Sequence, residues 1–138
     1  MMRLTRWKVV AGSGLLALLL ALPLWGADTE TRKTATPGTL NYVEGQASIG
    51  DQKLDSKAVG NADLENGQIL ETGNGKAEIL LTPGVFLRLG SNSSVKMISN
   101  SLLSTEVAIR QGEAMVEVDE LYHENNLRVA SPERTRVW

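Results

Sequence analysis

Lys76-Ala-Glu-Ile-Leu-Leu-Thr82, Pro83-Gly84 and Val85-Phe-Leu-Arg-Leu89 decide the fold. Ala77, Ile79 and Leu81 lie on one side of a period-two run, with Glu78, Leu80 and Thr82 on the other. In the second run Val85, Leu87 and Leu89 oppose Phe86 and Arg88. Between them, Pro supplies the fixed φ of the second position of a type II turn, and Gly the positive φ of the third. This is a β-hairpin, and the sequence around it repeats the same grammar.

Gly-x-Ala-x-(Ile/Val) occurs three times, at Gly45-Ala47-Ile49, Gly75-Ala77-Ile79 and Gly112-Ala114-Val116. Each copy leads from a permissive glycine into an alternating apolar run. A strand is expected over Leu40 to Ile49, with Gly50-Asp51 as a hairpin turn and Gln52 to Leu54 starting the return. Ser56 to Asn66 is polar and irregular and reads as a long loop. Gln68 to Thr72, Lys76 to Thr82, Val85 to Leu89 and Ser94 to Ile98 follow as separate short strands. Gly73-Asn74-Gly75 and Ser91-Asn92-Ser93 read as the turns between them. Alternation returns at Val107 and Ile109, then at Ala114, Val116 and Val118, with Glu117 and Asp119 turned to water. Leu127 to Ala130 and Thr135 to Val137 complete the strand-like pieces. After Pro23 no stretch sustains a helical apolar period, so the domain is expected to be all-β.

The N-terminus follows a different logic. Arg3, Arg6 and Lys8 precede an apolar run from Val9 to Leu22 that ends at Pro23, which is the layout of an export signal. That run is about 14 residues, short of the ~20 that a helix needs to cross a bilayer. Residues 1–26 are therefore expected to be a signal peptide cut after Gly26, giving a periplasmic or secreted protein. The alternative is an uncleaved helix that anchors the domain to the inner membrane. Asp28 to Thr39, Thr-rich and containing Pro37-Gly38, reads as part of a flexible leader spanning 27–39, ahead of a β domain at 40–130. Residues 131–138 read as a tail or a truncated end, because the strand pattern stops in mid-course at Trp138.

Composition narrows the chemistry. Of 138 residues, 14 are Lys or Arg and 16 are Asp or Glu. Cleavage removes Arg3, Arg6 and Lys8, leaving 11 basic residues against all 16 acidic ones, a net charge of −5. No basic run survives to neutralise a phosphate backbone, so nucleic acid is not an expected partner. Cysteine is absent, which excludes thiolate metal sites, disulfides and a lipidated thiol. His123 is the one histidine, set in the polar stretch Glu120 to Asn126, and reads as a solvated loop residue. Asn61, Asp63 and Glu65 alternate ahead of Gly67 as in a calcium loop. The spacing fails, with Asn66 where the loop needs Gly and Thr72 where it needs a bidentate Glu, so a polar turn is expected. Neither a phosphate-binding glycine loop nor a Gly-x-Ser-x-Gly elbow occurs, and no cofactor or enzymatic activity is expected.

Leu64-Glu-Asn-Gly67-Gln-Ile-Leu70-Glu-Thr72-Gly73, Ala77 to Leu81, Pro83-Gly84, Leu87-Arg-Leu89-Gly90-Ser-Asn-Ser93 and Val95 together resemble the core of the FecR domain family. Val107 to Val116 resembles its later Gly-x-Ala-x-Val strand pair, and Leu40 to Ile49 its opening strand. Glu71 and Pro83 depart from the family pattern, both at positions expected to be exposed. The resemblance implies an extracytoplasmic β-module built as a short-stranded solenoid or roll. In the best-known members it is the periplasmic part of a membrane-spanning sigma-factor regulator responding to an iron-siderophore receptor. Eight residues before the apolar run leave no room for a cytoplasmic anti-sigma domain, so a stand-alone exported version is expected. Its role would be protein interaction, signalling or sensing in the envelope. Gly67, Thr72, Gly73, Asn74, Pro83, Gly84 and Arg88 are the candidate partner-contact residues. The alternative is a structural envelope protein that self-associates or binds cell-wall polymer.

Overall fold

The computed structural model describes residues 34–120, 124–132 and 136–137. The expected signal peptide, most of the leader, His123, Thr135 and Trp138 lie outside them. Among the described residues no helix is long and apolar enough to cross a membrane.

The chain is all-β. Among the described residues nine strands form one open sheet: β1 (Leu40–Ile49), β2 (Gln52–Lys53), β3 (Ile69–Thr82), β4 (Val85–Leu89), β5 (Ser94–Ser101), β6 (Ser104–Gln111), β7 (Glu113–Val118), β8 (Asn126–Ala130) and β9 (Arg136–Val137). A 3-10 turn, Ser56–Ala58, is capped by Asp55, whose carboxylate accepts the Lys57 N–H at 2.9 Å.

The organising element is β3. Its C-terminal half pairs with β4, Ala77 opposite Leu89, and its N-terminal half pairs with β5, Leu70 opposite Val95. Strand β1 runs antiparallel along both halves. From there β4 pairs with β7 and β5 with β6, so each half of β3 starts its own arm. Leu70, Val95, Met97, Val107 and Ile109 from one arm share a single buried cluster with Ala77, Ile79, Leu81, Val85, Leu87 and Leu89 from the other. Strands stacked edge to edge cannot make that cluster unless the sheet bends, and the bend crosses the middle of β3.

The threefold glycine repeat marks the fold line. Gly45 lies opposite Gly75, and a Cβ on Gly45 would meet the Asn74 carbonyl oxygen at 2.3 Å. A Cβ on Gly75 would stand 2.3 Å from the Glu44 carbonyl oxygen, and one on Gly112 would stand 2.2 Å from Ser93 Oγ. Two residues beyond each glycine the arms have hardly diverged, which is why Ala47, Ala77 and Ala114 are small and buried there. Along the same line Thr72 N–H donates to the Ser93 carbonyl at 2.8 Å, Asn92 N–H to Gly73 at 2.9 Å, and Gly90 N–H to Glu113 at 3.0 Å.

Gly73-Asn74-Gly75 therefore corrects the expectation of a turn between two strands. Gly45 pairs with Gly75 but Ala47 with Thr72, so Gly73 and Asn74 together oppose Gln46. This is a β-bulge inside one 14-residue strand. The domain also begins before Leu40. Gly38 N–H donates to the Leu80 carbonyl at 2.7 Å, Thr39 N–H donates to Thr36, and Pro37 to Thr39 are buried. Those residues of the expected leader are part of the fold. The loop after β2 is not merely polar, since Leu54, Ala62 and Leu64 reach the core. Val118, expected to face inward, is exposed at the end of β7.

The last two strands are parallel to their neighbours. Asn126 to Ala130 of β8 pairs with Ser104 to Ala108 of β6, and Arg136-Val137 of β9 with Glu113-Ala114 of β7. Parallel strands ordinarily need a crossover of about a dozen residues or more, commonly helical. Here the crossover between β6 and β8 contains β7 itself, because the bend places β7 in the opposite arm.

Candidate functional site

The outer face of β1, β3, β4 and β7 carries a charged cluster built by two bulges. Leu40 pairs with Ile79 and Tyr42 with Glu78, so Asn41 is an extra residue that turns to the same side as Tyr42. The Asn41 amide then donates to Glu78 Oε1. On the other side, Leu80 pairs with Phe86 and Thr82 with Val85, so Leu81 is the extra residue and Glu78 comes opposite Arg88.

Arg88 Nε donates to Glu78 Oε2 at 2.8 Å, and its Nη2 lies 2.6 Å from the same oxygen and 3.3 Å from Glu117 Oε2. The Glu78 side chain is 7% exposed and that of Arg88 46%. Hydrogen bonding to Glu78, then its charge, raises the pKa of the Arg88 guanidinium further above its already high value. Tyr42, in the same row, donates its hydroxyl to Glu44 Oε2 at 2.6 Å, and that bond is the main cause of its raised phenol pKa. A cavity of about 330 Å³ is lined by Asn41, Tyr42, Glu44, Lys76, Glu78 and Arg88. A second depression of about 150 Å³ shares Lys76 and Arg88 and continues past Gly90 and Glu113 to Met115. Together they make a trough across four strands.

The seven candidate contact residues fall in different places. Gly67 is exposed in the loop before β3 and donates its N–H to Met97 at 2.8 Å. Pro83 and Gly84 form the β3–β4 turn, with Gly84 at φ +78°, as the third position of a type II turn requires. The Gly84 carbonyl accepts the N–H groups of Asp119 and Glu120 at 2.8 and 3.2 Å. Gly73 and Asn74 lie in the bulge, where Gln46 Oε1 accepts the Asn74 N–H at 3.4 Å. Beside them is a groove of about 440 Å³ lined by Gln46, Lys53 and Glu71 among others. Thr72 is buried, so its hydroxyl is a strut: it donates to the Gly90 carbonyl and accepts the Ser93 N–H at 3.0 Å. Thr72→Val leaves that N–H without its acceptor and is expected to cost about 1–3 kcal/mol in urea unfolding.

Of the seven, only Arg88 sits in the trough. Sequence reading placed Glu78 on the side of its run away from Ala77, Ile79 and Leu81 and assigned it no partner. The signal was nonetheless present. A plain two-residue hairpin through Pro83-Gly84 would put Ile79 opposite Arg88 and Glu78 opposite Leu89, pairing core residues with outward ones. Paired residues share a face, so the apolar pattern itself requires a one-residue shift, and that shift brings Glu78 to Arg88.

Asp63 Oδ1 accepts the Thr39 hydroxyl at 2.8 Å, and Asn61 Nδ2 donates to the Lys57 carbonyl at 2.9 Å. The Glu65 N–H donates to Gln68 Oε1. The alternating acids and amide are thus tied into loop contacts, and no group of three or more His, Cys, Asp or Glu residues placed to hold a metal occurs among the described residues. Set against protein-family models, curated proteins and solved structures, the chain matches none of them.

Proposed function

We propose that this chain is an exported, non-enzymatic binding module of FecR type in a bacterial envelope, built as a short-stranded roll, and that it docks a protein partner by strand addition. The observation that carries the reading is the edge formed by β8 and β9. Strand β8 lies in parallel register on β6 and β9 on β7, and among the described residues the two are the terminal strands of the sheet path. An open edge offers unpaired backbone N–H and C=O groups to an incoming extended segment. The FecR resemblance leads one to expect a short-stranded solenoid or roll, and sheet edges are where such a module would take a partner strand.

A photo-crosslinking residue at Arg128, exposed on β8, tests this in cells that make the chain naturally. One adduct of defined mass, heavier than the mature chain by something other than a multiple of that chain's own mass, is the expected result. A ladder at multiples of that mass would establish self-association instead, and no adduct would remove the edge as a docking site. Recovery of the chain in the soluble periplasmic fraction, with its N-terminus near Ala27, is the matching expectation for export.

A further inference from the structure

We propose that the trough on the outer face of β1, β3, β4 and β7 binds a neutral oligosaccharide. This gives ligand chemistry to a surface separate from the β8–β9 edge and stands whether or not that edge docks a protein. The trough reaches the size at which small-molecule sites begin, and its polar groups are held before any ligand arrives. Arg88 is fixed by Glu78 and Glu117 through Nε and Nη2, which leaves its Nη1 donors with no partner among the described residues. Asn41 is fixed by Glu78 and Tyr42 by Glu44.

Both signs of charge are interleaved across the four strands. Glu44 on β1 is followed by Lys76 and Glu78 on β3, Arg88 on β4, and Glu113 and Glu117 on β7. A strongly anionic ligand meets carboxylates on β1, β3 and β7, and a strongly cationic one meets Lys76 and Arg88. Closely spaced donors and acceptors, four carboxylates interleaved with two cations and two of the carboxylates already paired with Arg88, suit a ligand rich in hydroxyl and amide groups. At either end stand Tyr42 and Met115, each 44% exposed, which offer apolar surface to the C–H face of a sugar ring. The outward side chains of a sheet are usually mobile and solvated. Here two bulges and a shielded carboxylate hold the row in one arrangement, and ligand sites use that kind of preorganisation to lower the ordering cost of binding.

The test is a 15N-resolved NMR titration of the full chain with the tetramer of N-acetylglucosamine and, separately, with cellotetraose. Amide shifts confined to Tyr42, Lys76, Glu78, Arg88 and Met115, with a Kd in the millimolar range or tighter, are expected for at least one of them. Tyr42→Ala and Lys76→Ala should each weaken binding by about tenfold. Leu103→Ala, on the exposed β5–β6 turn, should leave it unchanged. The spectra themselves report whether each variant is folded. No shifts with either sugar would overturn the proposal, as would shifts that Tyr42→Ala does not diminish. Equal perturbation of the same amides by trilysine or triglutamate would also overturn it, by showing that the trough reads charge.

Discussion

Gly45→Ala is expected to lower the free energy of unfolding by about 3–4 kcal/mol, the upper range for a single substitution. Two costs combine. At φ +67° an L side chain is in the left-handed region, which costs about 1–2 kcal/mol for a residue other than Gly. The new methyl would then sit 2.3 Å from the Asn74 carbonyl oxygen and 2.9 Å from Gly75 Cα. Both obstacles are backbone of the paired strand, and neither can rotate aside. Gly50→Ala separates the two costs, because Gly50 has φ +54° but open space where its Cβ would be. Urea unfolding of the two variants should therefore differ by about 2 kcal/mol. Equal losses would mean that β1 and β3 are not held together at the fold line.

Leu87→Ala should cost about 3–4 kcal/mol, within the range for emptying a fully buried leucine site. Leu87 has no solvent exposure and lies between Ile79 of β3 and Val116 of β7. The core has one Phe in the whole sequence to draw on and is filled by aliphatic side chains anchored on strands, which limits how far neighbours can collapse into the space. Leu87→Met keeps most of the volume and should cost less than about 1.5 kcal/mol. The midpoint should move while the denaturant slope stays constant, since the surface exposed on unfolding hardly changes.

The bounds of β1 and β4 could be read because turn chemistry flanks them, and β4 could be read residue for residue because its alternation is clean. The fold line could not. Gly and Asn serve a turn and a bulge equally well, and the outcome at Gly73 to Gly75 depends on Gly45 lying across from them, about thirty residues upstream. Parallel pairing of β8 was hidden for a related reason. Alternation reports which face a residue occupies and carries no information about the direction of its neighbour. The burial of Glu78 was hidden because its shield, Asn41, reaches it only through the bulge in β1. The local pattern was thus legible wherever a strand decides its own conformation and obscure wherever a second strand decides it.

The bend also bears on how the molecule is put together. If β4 with β5, β6 with β7, and β8 with β9 are each counted as one strand crossing the fold line, the spatial order outward from β1 follows the order of the sequence, the short β2 pairing with β1 alone. No strand has to be inserted between two already in place. A chain emerging N-terminus first, from a ribosome or a translocation pore, can lay each bent strand on the edge left by the one before it. Because each strand serves both layers, the two sides of the core grow together, and at every stage the unfinished molecule is a shorter copy of the finished one.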